Sequence, residues 1–242
     1  MVLRLDLHVH SVRSPDGRMV PEEIAERARA AGLQGAAVCD HDLAAEGLPS
    51  FPDLLLIPGT EVSTDQGHLL GLFVTEPVRS RDFAGAAEEI RRQGGLAVLA
   101  HPFQRSRDPD RLIPLVPLLD GLEVWNSRAD RKNPQANRMA ADFARSRRLR
   151  PFAGSDAHLP QEVGNGVTTV EADSLTLEAV KAALLGGAAQ VSGRRSPAWY
   201  AARSQLTKRR RSGAGPLSYL KWAAFAAKCL GEDLIRRDAG RR

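Results

Sequence analysis

The sequence predicts an α/β barrel, and three observations carry that expectation. Short apolar runs rich in Val, Leu and Ala alternate with amphipathic helical patterns, the mark of βα units around a buried parallel sheet. The 242 residues are enough to bury one sizeable core, and single α/β barrels commonly reach this length. No glycine-rich dinucleotide turn follows the first run, which weighs against an open nucleotide-binding sheet.

In chain order, the strand patterns fall at residues 3–9, 35–39, 54–57, 68–74, 96–100, 121–125, 151–153 and 167–170, and all read as buried parallel strands. Four helical patterns lie among them. Residues 21–31 open on Pro21, with Glu22 and Glu23 near the positive helix end. Residues 82–93 open on Asp82 and stop at Gly94-Gly95. Residues 134–147 and 175–185 complete the set. From residue 194 to 215 the chain turns polar and basic, through Arg194-Arg195 and Lys208-Arg209-Arg210-Arg211, and reads as a linker or surface extension. Residues 216–237 then carry apolar residues at roughly helical spacing, so a last helix is expected there. The chain therefore divides into a barrel, residues 1–193, and a basic C-terminal extension, residues 194–242.

Composition sets the outer bounds. Hydrophobic residues make up 43%, which argues for a packed globule and against disorder. The first residues lack the form of a signal peptide, and no uncharged apolar run approaches the ~20 residues that span a bilayer. A soluble cytoplasmic protein with no transmembrane segment is expected. The two cysteines, Cys39 and Cys229, read as small buried side chains and not as a disulfide framework. Charge is uneven. Residues 194–242 hold 13 Lys/Arg against 3 Asp/Glu, while residues 1–193 hold 21 against 26. A mildly acidic body thus carries a strongly basic tail.

The six histidines carry the chemical signal. His8 and His10 form an H-x-H pair at the end of the first strand pattern, where alternate residues share a face and can reach one ion. His41 follows Asp40 after the second strand pattern, His101 ends the fifth, and His158 follows the seventh in Gly154-Ser155-Asp156-Ala157-His158. In a parallel barrel these carboxyl ends form one rim, the face where active sites sit. His68 breaks the rule, because its pattern places it at a strand start. Carboxylates share these places: Asp16, Asp40, Glu61 and Asp156. Imidazole and carboxylate together suit zinc, manganese or iron(II), and the absence of a cysteine ligand set argues against a structural zinc finger. A single histidine is more often a hydrogen-bonded core or surface residue. The convergence of all six on such positions sets that plain reading aside.

These motifs resemble the polymerase and histidinol phosphatase (PHP) family. The matching residues are His8-Val9-His10, Ser14-Pro15-Asp16-Gly17, Cys39-Asp40-His41-Asp42, Gly59-Thr60-Glu61-Val62-Ser63, Gly67-His68-Leu69-Leu70-Gly71, Ala100-His101-Pro102 and Gly154-Ser155-Asp156-Ala157-His158. They run in the family's order over residues 1–170. The resemblance implies a distorted (β/α)7 TIM-like barrel with two or three divalent metal ions (Mn²⁺, Zn²⁺ or Fe²⁺). It implies His8, His10, Glu61 and Asp156 at a first metal, with Glu61 bridging to His68 and His101 at a second. Asp16, His41 and His158 would hold a third.

The expected reaction is hydrolysis of phosphate monoesters or nucleotides by a metal-activated hydroxide, with His41 or Asp40 passing a proton to the leaving group. Arg128 and Asn126, after the sixth strand pattern, are candidates for binding substrate. Arg105 and Arg107 are weaker ones. The basic tail can bind nucleic-acid phosphates, lie on a membrane surface or meet a partner, or pack back on the barrel with its charge merely solvated. The first option fits a 5′-3′ exonuclease on short RNA or DNA. Amide or phosphotyrosine hydrolysis is a further enzyme reading. From another class comes a catalytically silent metal-binding regulatory module, against which the intact ligand set speaks.

Overall fold

A computed structural model describes the backbone of residues 1–239 and the side chains through residue 236. In chain order the elements are β1 (Val2–Val9), α1 (Pro21–Ala30), β2 (Gly35–Val38), β3 (Leu55–Thr64), β4 (Gly67–Leu72), α2 (Phe83–Arg92), β5 (Leu96–Leu99), β6 (Gly121–Asn126), α3 (Ala136–Arg147), β7 (Pro151–Gly154), β8 (Gly166–Glu171), α4 (Leu177–Gly186), β9 (Gln190–Gly193), α5 (Ala198–Arg211) and α6 (Pro216–Ala239). Local chemistry accounts for several boundaries. Pro21 stands at the start of α1, and the Asp82 carboxylate caps α2 by accepting from Gly85 N at 2.8 Å. Pro114 and Pro117 remove backbone donors from Asp110–Leu118, which winds as a 3-10 helix and not as an α-helix.

The nine strands form one sheet in the order β7-β6-β5-β4-β3-β2-β1-β8-β9. It curls into a nearly closed barrel. The seam between β1 and the segment after β7 is held by Ala157 N donating to His8 O at 3.3 Å and His10 N donating to Ala157 O at 2.8 Å. Beside it, the Thr168 hydroxyl accepts from Ala153 N at 2.8 Å and donates to Ala153 O at 3.1 Å. The buried Asp6 carboxylate ties the same seam, accepting from Ser155 N and Gly164 N, each at 2.8 Å. Burial raises that carboxyl to about 6 against these hydrogen bonds. Three apolar clusters make up the core, one of them drawing on seven strands and α4.

The sequence reading of uniformly parallel strands needs correction. β1–β2, β2–β3, β5–β6 and β6–β7 are parallel, whereas β4 runs antiparallel to both β3 and β5, and β8 runs antiparallel to β1 and β9. β3 continues past the predicted residues 54–57 to Thr64 and turns back through Asp65-Gln66 into β4. Glu61 therefore lies within a strand and not after one. This hairpin also explains His68. The start of an antiparallel strand lies at the same rim as the ends of its parallel neighbours.

The basic stretch after residue 194 is not a linker. Ala198–Arg211 forms α5, which packs on α6 through Ala198, Ala202, Ala226 and Cys229, flanked by Trp199, Trp222 and Phe225. The pair is fastened to the barrel. Arg211 donates to the carbonyls of Val12 and Ser14 at 3.0 and 2.8 Å, and Arg195 pairs with the buried Asp130 at 2.6 Å. Both cysteines are buried, as expected. Among the described residues no helix is long and apolar enough to cross a membrane.

Phe152 on β7 is 2% exposed and lies so close to Gly121 that a Cβ there would come within 2.2 Å of its ring. Phe152→Ala should lower the unfolding free energy by about 3–5 kcal/mol. Denaturant unfolding of the two proteins checks this, and a loss below about 1 kcal/mol, the volume-conserving range, would remove Phe152 from the core.

Candidate metal centre

The rim gathers all six histidines with Asp16, Glu61 and Asp156. β1 ends in His8 and Val9 with His10 directly after it, and the alternation continues so that both imidazoles come to one side, with their Nε2 atoms 3.1 Å apart. β3 contributes Glu61, β4 starts near His68, and His101 follows β5. Asp156 and His158 follow β7, while Asp16 and His41 lie in the turns after β1 and β2. Three groups of ligand atoms fall close enough to share ions: His8, His10 and Asp156; Glu61, His68 and His101; and His10, His41 and His158. The second is a set the family resemblance implies, and the first holds three of the four residues implied for its metal, without Glu61. In the third, His10 lies where Asp16 is expected. Asp16 Oδ1 nonetheless stands 3.4 Å from His158 Nε2 and 3.6 Å from His41 Nε2.

Glu61 is the hub. Its Oε1 lies 2.7 Å from His68 Nδ1, 3.0 Å from His101 Nε2 and 3.6 Å from His8 Nε2. Its Oε2 lies 2.8 Å from His41 Nδ1 and 3.5 Å from His10 Nε2. Burial alone would raise the Glu61 carboxyl, but the imidazoles of His8, His41 and His68 and the hydrogen bond from His101 hold it well below the usual carboxylate range. Asp156 is held down in the same way against its burial, chiefly by His8 and His10.

Hydrogen bonds at the far ring nitrogens set which imidazole atom is free. Glu123 Oε1 accepts from His8 Nδ1 at 3.0 Å. The Ser14 hydroxyl donates to Asp40 at 2.6 Å, which leaves its oxygen to accept from His10 Nδ1 at 3.0 Å. The carbonyl of Asp156 accepts from His158 Nδ1 at 2.9 Å. In each ring the Nε2 lone pair therefore points into the cage. Burial and the neighbouring His158 and His41 rings keep His10 well below the ordinary imidazole value, hence neutral. Burial also works against protonation of His8, but Glu123, Glu61 and Asp156 outweigh it and raise that ring well above the ordinary value.

This donor set fits divalent metal ions. The Nε2 atoms of His8 and His10 face each other at 3.1 Å, a contact that needs a proton or a metal ion between them. Asp16 Oδ1 and Glu61 Oε2 are, among the described residues, buried oxygens without an aligned hydrogen-bond donor. Neutral imidazoles with carboxylates and no thiolates suit zinc, manganese or iron(II). The backbone is strained where it delivers ligands: His101 and Asp156 have φ of 29° and 55°, the left-handed region that non-glycine residues rarely adopt.

Other candidates take different places. Asp40 is fully buried, and its carboxylate accepts from the backbone N–H and hydroxyl of both Ser11 and Ser14. Three of these bonds go to Oδ1 and one to Oδ2, and together they hold the turn that carries Ser14. Asn126 is also fully buried, and its amide donates to Glu123 at 3.0 Å and Asp156 at 3.4 Å. It props these carboxylates from beneath the rim. Arg128 faces a cavity beside Asp156, but Glu162 clasps its guanidinium through both carboxylate oxygens. Arg105 lines the same cavity, and Arg107 is exposed.

Sequence reasoning missed Glu123. Its carboxylate orients His8 and accepts from His101 N at 2.8 Å. The available signal was a single acid inside an apolar strand. Gly154 protects this pair: a Cβ there would lie 2.3 Å from His8 Cβ and 2.8 Å from Glu123 Oε1.

A family model described as PHP-associated matches residues 134–189. An uncharacterized protein of Methanocaldococcus jannaschii is 32% identical over 173 residues, which cover 67% of this chain and 68% of that one. A 5′-3′ exoribonuclease of Haemophilus influenzae is 40% identical over 81 residues, 30% of this chain and 29% of that one. Among solved structures, the chain resembles a two-domain protein from Bacteroides vulgatus containing a predicted PHP-like metal-dependent phosphoesterase. That likeness has a TM-score of 0.65 at 22% identity and covers 80% of this chain. The chain spans 65% of that protein's length, and the likeness is one of fold.

Glu123→Gln should weaken metal affinity by about 10–100-fold, the usual cost of removing a carboxylate that orients a metal-binding histidine. Calorimetric titration with Mn²⁺ reads it. Unchanged affinity would mean that Glu123 does not set the His8 ring.

Proposed function

We propose that this chain, which belongs to the PHP family, hydrolyses phosphate monoesters or nucleotides with bound divalent metal ions. The observation that carries the reading is the convergence of His8, His10, His41, His68, His101 and His158 around Glu61, Asp156 and Asp16 on a single rim. On this reading residues 1–193 form the hydrolase barrel and residues 194–242 a basic extension. His8, His10, Glu61 and Asp156 hold one ion. Glu61, His68 and His101 hold a second, and Asp16, His41 and His158 a third. Divalent ions held there lower the pKa of water from 15.7 towards about 7 and neutralise phosphoryl oxygens.

The chain's own residues prepare this chemistry. Glu61 lies between the first two ligand groups and can serve both. Glu123, Ser14 and the Asp156 carbonyl fix ring orientations, so that ligand atoms are aimed before substrate arrives. His41 is committed by its two nitrogens to Glu61 and Asp16, and we assign it to the cage. We assign Asp40 a positioning role, because Ser11 and Ser14 together give its carboxylate four hydrogen bonds that hold the turn after β1. His41 and His68, with side chains 26% and 35% exposed, mark the side from which substrate enters.

A second reading, a 5′-3′ exonuclease on short RNA or DNA, is favoured by the partial likeness to the Haemophilus influenzae exoribonuclease and by the basic tail beside the rim.

The Mn²⁺-loaded protein, assayed on sugar phosphates, nucleotides and a short 5′-phosphorylated RNA, should release inorganic phosphate from small esters. Ordered mononucleotide release from one RNA end would select the exonuclease. Tightly bound metal with no turnover on any phosphoester would sink both readings and favour a silent metal-binding module. His8→Ala should lose metal and activity together while its circular dichroism stays that of the folded barrel.

A further inference from the structure

Helix α6 has two unlike faces. Its inner face packs on α5 through Ala226 and Cys229, with Trp222 and Phe225 beside them. Its outer face carries Leu217, Leu220, Ala224, Ala227, Gly231 and Leu234, whose alternating spacing of three and four makes one stripe along the helix. The stripe is open to solvent. Leu217, Leu220 and Leu234, with Ile235 beside them, are each more than 60% exposed, and a Cβ added at Gly231 would meet nothing within 4 Å. Charge is sorted between the same two faces. Lys221 and Lys228, two turns apart, are exposed along one edge of the stripe. Both carboxylates among the described side chains of α6 turn inward: Glu232 lies 3.9 Å from Arg131 of the barrel, and Asp233 accepts from Ala198 N and Trp199 N of α5. Exposed Lys208 and Arg210 add cations at the Leu217 end, where Arg209 donates to the Ser218 carbonyl.

We propose that this outer face docks on an anionic lipid membrane, where α6 lies flat with its leucines at the acyl boundary and its lysines among the phosphate headgroups. Two features favour lipid over a protein partner. The first is size. The ridge from Leu217 to Ile235 is about 27 Å long and about 10 Å wide, roughly 300 Å². A stable protein interface buries ~800 Å² on each partner. A membrane offers a convex ridge an unbroken apolar medium and needs no matching groove. The second is charge. Edge lysines, with no outward carboxylate among the described residues of α6, match a negative headgroup layer. In an antiparallel pair with a second copy, the lysine edge would instead meet itself. Because Arg211 ties α5 to the turn that carries Asp16, docking through α6 holds the metal centre beside the membrane. Docking of this kind is independent of which ester the metal centre cleaves.

The test is sedimentation of the full chain with vesicles, one set of mixed phosphatidylglycerol and phosphatidylcholine, the other of phosphatidylcholine alone. The wild-type protein should pellet with the anionic vesicles and stay in solution with the neutral ones, and added salt should weaken its binding. Leu220→Gln and Leu234→Gln should each weaken binding about tenfold, the loss expected when one leucine leaves an apolar medium. Lys221→Gln and Lys228→Gln should each weaken it about fivefold. All four side chains are exposed, so each variant should keep the circular dichroism and the Mn²⁺ affinity of the wild type. No binding by the wild type, equal pelleting with both kinds of vesicle, or leucine variants that bind as the wild type does overturns the proposal. A concentration-dependent dimer, lost in Leu220→Gln and seen without vesicle binding, overturns it in favour of a second copy.

Discussion

Glu61 is 1% exposed, yet its two oxygens lie within 3.6 Å of nitrogens from five histidines. A carboxylate so placed needs nearby positive charge, because an isolated buried charge is too costly to keep. Much of the barrel serves that demand. The β3–β4 hairpin carries Glu61 and His68 to the same rim. β1 supplies a paired imidazole face. His101 and Asp156 accept left-handed backbone to aim their side chains inward. Beneath them, Glu123, Ser14 and Asp40 lock ring orientations that free side chains would lose. The cage and its supports therefore stand or fall as a unit.

Much of this was legible in the residues, and the remainder was hidden for physical reasons. Strand periodicity located β1, β2, β5, β6 and β7, and capping chemistry at Asp82 fixed the start of α2. Chain direction within a sheet leaves little trace in apolar composition, so the reversal of β4 was invisible and His68 looked misplaced. β9 escaped because Gln190–Gly193 is short and largely exposed, with no buried face to set a pattern. α5 escaped for a different reason. Its arginines and lysines obscure the small buried stripe of Ala198, Ala202 and Ser204, although Ala, Arg, Lys and Gln are all good helix formers. Asn126 and Arg128 were read from their position after a strand. What they do depends on Asp156, Glu123 and Glu162, residues that only folding brings beside them.

The tail was the part with the most open alternatives, and the contacts decide how it sits. Trp222 donates to the Ala202 carbonyl at 2.8 Å, and Asp233 accepts from Ala198 N and Trp199 N at 2.7 and 2.9 Å, so the two helices cap and brace each other. Arg211 and Arg195 then spend basic charge on barrel carbonyls and on Asp130. Part of the charge run is thus structural. Leu217, Leu220, Leu234 and Ile235 on α6 remain more than 60% exposed.

The seam also orders events during synthesis. β1 is made first, yet its neighbours are β2 and the much later β8, and Asp6 finds its partners 149 and 158 positions downstream. A nascent chain halted before β7 would leave β1 with an open edge and an unanswered acid. Such distant pairings slow folding, because a long loop must close before any contact rewards it. Completion of the rim is thereby delayed until the segment after β7 has emerged.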